Sequence, residues 1–489
     1  MKIELPALIV IFLFTFFPLW IGEFSRKSSL PNVEDFFVQS RKMPLLTVFF
    51  TVFATWWSSF AFLGSSAYFY TKGPVYLTGI AWNILFGILF FVIGKRIWFY
   101  GNINKYVTPT DFFSDIYQSK FLNIVITLIM VLFTLPYLQI QLSGGAYLIE
   151  IASQGFIPWR VSGLIFYLII IIYLWAGGLR AVAWTDIFYG MLIFSGMIIG
   201  GVYLSAKAGG IGFLFNEINR IKPDYLLLPG PEGNSGILLW VSMFLMTPIG
   251  ALMGPQLWIR MYSVGHHRTF NLMPFLISFT SIAYLGSVLA GYSGILLVSG
   301  ISNPDAVLPT MLIQYSPIWL GAFLFCCGAA AALSTSNSQI HAISAVYALD
   351  IHKRYVNNNI SDRRIVHIAR WAILLFSAAA YIILAQAPSL LIHTGLIAMS
   401  GTAQVFIPVV GALFWKKSHP LGANLGILSG IIVLALATFV FKIQASFAGA
   451  LGIIMNALIF VIISRSSKKI KSVENRIVHL KQLYENEYL

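Results

Sequence analysis

Four residues along one apolar stretch have the types and spacing to bind an ion. Ala331, Ser334, Thr335 and Ser338 stand at i, i+3, i+4 and i+7 within Ala331-Ala332-Leu333-Ser334-Thr335-Ser336-Asn337-Ser338-Gln339. That spacing places them on one face of a helix, a strip of hydroxyls beside a small residue. Hydroxyl and carbonyl oxygens are the ligands a hard cation such as Na+ takes. The same strip also suits hydrogen bonding between packed membrane helices, because Ser and Thr commonly bridge them.

A second stretch, Phe53-Ala54-Thr55-Trp56-Trp57-Ser58-Ser59-Phe60-Ala61-Phe62-Leu63-Gly64-Ser65-Ser66, puts small and hydroxyl residues in the middle of an apolar run. If the helix unwinds there, with Gly64 as the flexible point, freed carbonyls face a cation and freed N–H groups face an anion. An ordinary packing helix with aromatics toward lipid is the competing reading. A third stretch holds Asp186, about one turn inside an apolar run that follows Gly177-Gly178-Leu179-Arg180. An intramembrane carboxylate is a functional candidate by default, although it could also cap its helix or pair with Arg180. His266-His267 and His341 lack further ligands at metal-binding spacing, so no metal other than sodium is expected.

The elements that hold these residues must be membrane helices. The chain has 489 residues, 58% hydrophobic and only 10% charged, with mean hydropathy +0.82. A soluble protein carries about 25% charged residues, so this surface is made for lipid. The apolar runs are long and continuous, which excludes an outer-membrane barrel. Thirteen segments are expected, at about 5–23, 43–70, 76–99, 122–151, 158–176, 182–206, 234–262, 270–300, 309–349, 364–385, 389–414, 420–441 and 446–464. The first is expected to be a retained helix rather than a cleaved leader. Net charge is +14. With the N-terminus outside and the C-terminus inside, most Lys and Arg, including Arg41, Lys95, Arg260, Arg268, Lys353 and the tail from Arg465, fall on the inner side, as the positive-inside rule requires. That placement accounts for the charge without nucleic acid.

The expected divisions are an extra helix and inner loop at 1–42, a first five-helix unit at 43–206, an outer loop at 207–233, a second unit at 234–417, two further helices at 418–464 and a basic tail at 465–489. The outer loop, rich in Gly and Pro, reads as a turn-rich cap. In the tail, Ile470, Val473, Ile477, Leu480 and Leu483 recur at helical spacing, which predicts a surface helix on the inner leaflet. Cys326 and Cys327 are adjacent in one apolar run and read as small core residues.

Several stretches together resemble the sodium/solute symporter family. Glu34-Asp35-Phe36-Phe37 with Ser40-Arg41-Lys42-Met43-Pro44 is similar to the family's motif before its second helix. Gly177-Gly178-Leu179-Arg180-Ala181-Val182 with Trp184-Thr185-Asp186 is similar to its most diagnostic signature. Ala332-Leu333-Ser334-Thr335, Asp350 and Leu413-Phe414-Trp415-Lys416-Lys417 also match. The resemblance covers nearly the whole chain. It implies an all-α integral membrane protein of the leucine-transporter-like fold, with two inverted five-helix repeats around a midplane site and transport by alternating access. It implies a sodium site formed by Ala54, Trp57, Ala331, Ser334 and Thr335. It also implies a second sodium site from Asp186, Ser334, Asn337 and Ser338, where Asn337 departs from the hydroxyl that related members carry. The solute would meet Trp56, Ser58, Phe60, Ala61, Ser65, Asn83, Gln141 and Gln404.

Ala61 stands about where sugar symporters carry a polar amide, so the apolar, aromatic wall argues against a sugar and toward a small organic acid or amino acid. No Lys or Arg is evident at mid-depth to neutralise a carboxylate. The expected protein is therefore a sodium-coupled symporter in the plasma membrane, whose partners are a small solute and the lipid bilayer, with no obligate protein partner evident. Proton coupling, a non-transporting sensor and a membrane-embedded enzyme are the alternatives; the last would need a His/Asp or metal constellation that the sequence does not display.

Overall fold

The computed structural model describes residues 13–14, 20–21, 32–298, 300–386 and 391–488. The first expected segment, 5–23, lies almost wholly outside the described residues. Among the described residues the architecture is helical throughout, with one isolated backbone bridge between Met43 and Val264. Among the described residues, ten helical runs are long and apolar enough to cross a membrane, and Leu45–Trp56 and Trp159–Ile171 are shorter apolar helices. Large apolar side chains such as Leu128, Leu132, Phe275, Leu375, Ile432 and Leu458 remain exposed, as expected where lipid is the solvent.

The overlong segments are long because they are interrupted. The segment at 43–70 is the helix Leu45–Trp56, a break at 57–59, a wide π-type turn Phe60–Gly64 and the helix Ser65–Lys72. The segment at 234–262 is Asn234–Met253 and Pro255–Ser263, separated by Gly254 in extended conformation (φ −65°, ψ 142°). A broken helix thus opens each of the two expected five-helix units, as in inverted-repeat transporters. The segment at 309–349 divides into Val307–Tyr315 and Ile318–Ala345, with Pro317 starting the second helix.

Three expectations need correction. The break near Ser58 is not at Gly64, which is helical (φ −65°, ψ −32°). A Cβ at Gly64 would lie 2.6 Å from Ile392, so this glycine serves close helix approach. The runs at 158–176 and 182–206 form one helical rod, Trp159–Lys207, bent at Gly178 (φ 58°, ψ −162°). The outer loop holds a helix, Ile211–Ile221, because Leu214 and Ile218 bury one side of it.

The tail also differs from its expectation. Lys471–Tyr488 is helical, but Val473, Ile477, Leu480 and Tyr484 are buried against protein rather than laid on lipid. Arg476 fastens it, with Nη2 donating to Asp115 Oδ2 at 2.7 Å and Asn104 Oδ1 at 2.7 Å. The Tyr488 ring receives the Lys95 ammonium at 4.5 Å.

Two of the sequence motifs meet in space. The Phe36 ring packs where a Cβ on Gly178 would stand, 2.8 Å away. Arg180 Nη2 donates to Asp35 Oδ1 at 2.8 Å, and Ser40 donates to the same oxygen at 2.7 Å. Glycine at 178 is required twice over, by its positive φ and by this contact. The motif around Phe36 thereby holds the bend that sets the direction of the rod carrying Asp186.

Candidate functional site

Leu45–Trp56 and Ile318–Ala345 lie side by side, and their small residues allow backbone oxygens to approach hydroxyls. Ser334 Oγ donates to Ala54 O at 2.9 Å and to Ala331 O at 3.2 Å. Thr335 Oγ1 lies 3.3 Å from both Ala54 O and Thr55 O. All of these residues are buried. The helix ends at Trp57 (φ −90°, ψ 88°), and this ψ turns the Trp57 carbonyl away from the helix axis. Two hydroxyls and several carbonyls from two helices therefore face one another across a helix break. Such a cluster has no permanent positive charge of its own, and it is what a monovalent hard cation can use. Ala54, Ala331, Ser334 and Thr335 are brought together, and Trp57 ends the helix that carries Ala54.

Beyond the break the wall is aromatic. The Trp57 and Tyr284 rings are 4.3 Å apart, Tyr76 and Trp82 5.2 Å, and Phe60 and Trp82 6.2 Å. Trp56 stacks on Phe86 at 4.6 Å and donates its indole N–H to Asn83 Oδ1 at 2.5 Å. Asn83 Nδ2 donates to Ser281 at 3.2 Å. Gln141 Oε1 accepts from Ser59 N–H at 3.1 Å, and Ser58 Oγ accepts from Phe60 N–H at 3.1 Å. Ala61 N–H donates to Ser58 O at 2.8 Å. A Cβ on Gly144 would lie 2.4 Å from Ser59 Oγ, so Gly144 lets the helix Lys120–Ala152 close on the break. Trp56, Ser58, Phe60, Ala61, Asn83 and Gln141 thus surround one neighbourhood.

Two of the expected solute residues point elsewhere. Ser65 donates to Ala61 O and to Ser287 at 2.7 Å, bridging two helices. Gln404 donates to Gly449 O at 3.2 Å, and Asn456 donates to Gln404 O at 2.7 Å. It belongs to the packing of the last helices. His393 lines a cavity of about 340 Å3 with Asp305, Tyr68 and Lys72 on the face opposite the tail. Burial pushes the Asp305 carboxyl up to about 6, although the Leu391 N–H that it accepts, at 2.9 Å, opposes the rise. A larger cavity of about 790 Å3 opens on the tail side among Arg41, Tyr106, Asp111, Asp115 and Arg354.

Around Asp186 the structure adds residues that sequence reasoning missed. Arg260 is fully buried, not in an inner loop, and its Nη2 lies 3.6 Å from Asp186 Oδ2. A buried Lys or Arg at depth is therefore present after all, and the partner of Asp186 is Arg260 rather than Arg180. Thr51 Oγ1 donates to the same Asp186 oxygen at 2.5 Å. Arg260 Nη2 also donates to Ser338 Oγ, which is 2.9 Å from Thr55 Oγ1. Of the expected second set, Asp186 and Ser338 are linked through Arg260, Ser334 is turned toward Ala54, and Asn337 Oδ1 has no hydrogen-bond partner. The i, i+4 pair Thr51 and Thr55, on the helix face that meets Asp186 and Ser338, was the readable signal. Among the described residues no group of three or more His, Cys, Asp or Glu could hold a metal.

With this geometry in view, comparison with known proteins is direct. A model of the sodium:solute symporter family matches residues 36–430, and the chain belongs to that family. The sodium/pantothenate symporter of Haemophilus influenzae is 24% identical over 441 residues, covering 86% of this chain and 88% of its own. Sodium/proline symporter 2 of Staphylococcus saprophyticus is 25% identical over 435 residues, covering 85% and 82%. The solved structure of a Na+-coupled sialic acid symporter, in a substrate-bound outward-open state, superposes with a TM-score of 0.82 at 19% identity, over 95% of this chain and 99% of that one. The family and these relatives are transporters, not enzymes.

Proposed function

We propose that the protein is a sodium-coupled secondary active symporter that imports a small organic solute, a carboxylate or an amino acid, across the plasma membrane by alternating access. The observation that carries this reading is the convergence of the Ser334 and Thr335 hydroxyls on Ala54 O beside a broken helix. Those hydroxyls hydrogen-bond the Ala54 carbonyl. Sodium takes their place as its partner: the hydroxyls rotate, and Ala54, Trp57, Ala331, Ser334 and Thr335 present oxygen to the ion. This joins the helix Leu45–Trp56 to Ile318–Ala345 and sets the angle at the break. The Ser59 and Phe60 N–H groups just beyond it are held by Gln141 and Ser58. A solute carboxylate displaces those two acceptors and takes up N–H groups at a helix start, a favourable place for negative charge. The aromatic rings around Trp57 and Phe60 set the size of what fits. Each ligand then raises the other's affinity by the same factor, the linkage that drives uphill uptake.

The same reading puts the N-terminus outside and the C-terminus inside, with thirteen helices. Membrane vesicles containing the protein test it. At fixed pH, uptake of a panel of small carboxylates and amino acids should require an inward sodium gradient and stop when choline replaces sodium. Uptake that persists in choline and follows a pH gradient would overturn sodium coupling in favour of protons.

A further inference from the structure

We infer that the helix Lys471–Tyr488 is a latch, pinned by Arg476, that limits how far the tail-side face of the transporter opens. This goes beyond the function proposed above and rests on its alternating-access cycle. Residues 467–470 join this helix to the spanning helix Ala445–Ser466 and are not helical, so their backbone dihedrals form a soft joint. The helix also lies outside the residues, 36–430, that the family model matches.

Its dock spans parts that alternating access must move. Arg476 Nε donates to Asp115 Oδ1 at 3.1 Å and Oδ2 at 3.0 Å, and Nη2 reaches Asp115 Oδ2 and Asn104 Oδ1, each at 2.7 Å. Such a fork on a carboxylate fixes direction as well as adding energy. Asn104 ends the helix Lys95–Asn104 and Asp115 lies on Pro109–Tyr117, both within the first expected five-helix unit. Further along, the same helix meets the second unit. The Arg96 guanidinium lies between the Tyr484 and Phe414 rings, 4.6 and 4.7 Å from their centres. The Tyr488 ring is 5.1 Å from that of His267. Phe414 ends Phe406–Phe414, and His267 stands at the start of Arg268–Thr280. A helix that ties two units across one face resists their rocking apart.

The segment that Arg476 pins is a cavity wall. Asn104, Tyr106, Val107 and Asp115 line the tail-side cavity of about 790 Å3. Arg354 Nη2 donates to Asp111 Oδ1 at 2.9 Å, so the wall is held at two points. The Arg476 and Asp115 side chains are 24% and 29% exposed. Water competes for such a pair, and the tie is one that breaks and re-forms. Val473, Ile477 and Leu480, buried beneath it, return the helix to the same place.

The experiment is cysteine labelling of the full chain in lipid nanodiscs, where a water-soluble maleimide reaches both faces. Val107→Cys, at a position 9% exposed, reports the tail-side cavity. Ala67→Cys, at a position 3% exposed, reports the cavity of about 340 Å3 on the opposite face. Cys326 and Cys327 are buried, and the chain without reporters gives the background. In choline chloride, Arg476→Ala should raise the labelling rate at Val107→Cys about 5-fold and lower it at Ala67→Cys, because opening one face closes the other. Asn104→Asp sets a second carboxylate beside Arg476 and should slow labelling at Val107→Cys roughly twofold. That variant keeps the inference testable where Arg476→Ala fails to fold. Unchanged or opposite rates in either variant would overturn the latch. So would a rise at both reporters, the mark of a brace whose loss loosens the whole chain. Adding sodium to the wild type tests the reading beneath. If the two reporters do not then respond in opposite directions, sodium coupling falls, whereas the comparison of Arg476→Ala with wild type, made in choline, judges the latch alone.

Discussion

Replacing Ser334 by alanine is the sharpest test of the sodium site. The Ser334 hydroxyl shares its proton between Ala54 O, at 2.9 Å, and Ala331 O, at 3.2 Å. Such a neutral hydrogen bond contributes about 1 kcal/mol, whereas the ion–dipole contact of the same oxygen lone pair with sodium is taken on the scale of a hydrogen bond to a charged group, up to about 3 kcal/mol. Alanine removes the stronger interaction from the bound state and the weaker one from the free state. The difference is about 2 kcal/mol, or about 30-fold in sodium affinity. Ligand-linked stabilisation translates this into a measurable quantity. At a sodium concentration about 100 times the wild-type Kd the ion adds about 2.7 kcal/mol of stability, and the same concentration adds only about 0.9 kcal/mol at a site about 30-fold weaker. Sodium titration of the unfolding temperature reads this directly, without knowledge of the solute. Thr335→Ala should behave similarly. Ser336→Ala is the control, because Ser336 Oγ donates to Ala332 O at 2.6 Å within its own helix. If Ser334→Ala and Thr335→Ala both keep the wild-type sodium response, these hydroxyls are helix packing and not ion ligands.

Other outcomes follow from the packing and the charges. Gly286→Ala would drive a Cβ to 2.0 Å from Met197 O, an overpacking that costs at least about 1–3 kcal/mol; a clear fall in unfolding temperature is expected, and an unchanged one would contradict the close crossing. The Asp305 carboxyl, raised to about 6 from an unfolded value of about 3.9, holds its proton more tightly in the folded state. Its contribution to stability is therefore full below about 4 and lost as pH rises to about 6, at most about 3 kcal/mol. Asp305→Asn keeps an acceptor for Leu391 N–H and should flatten stability across that window, which unfolding temperatures from pH 4 to 7 would check. Leu480→Asp puts a carboxylate under a buried face of the tail helix and should speed tryptic cleavage in the tail; cleavage at the wild-type rate would refute its docking.

The parts of this arrangement that were readable in sequence are those set by local spacing. Ser334 and Thr335 announced themselves because a helical face is a short-range property, and Asp186 because a carboxylate in an apolar run is rare. The break near Ser58 was readable as a cluster of small residues, but its position was not. Gly64 looked the better hinge, yet its role is to admit Ile392, a residue more than 300 positions away in the chain. Arg260 was unreadable for a similar reason. It stands near the end of an apolar run, where a basic residue normally marks the inner membrane edge, and only the break at Gly254 turns it inward. Gln404 looked equivalent to Asn83 as a polar residue in an apolar run, and tertiary contacts alone separate them. The tail's apolar face was visible, but sequence could not say whether lipid or protein covers it.

The interruption at Trp57 has an evolutionary consequence. Upstream of it, Ala54 and Thr55 offer backbone atoms, which no substitution can remove; downstream, Phe60 and Ala61 offer side chains. On the proposed reading, drift at Phe60 and Ala61 alters which cargo is accepted, while the ion site tolerates change at Ala54 but not at the Ser334 and Thr335 hydroxyls. In this design new substrates can be acquired one side chain at a time, without re-inventing the engine.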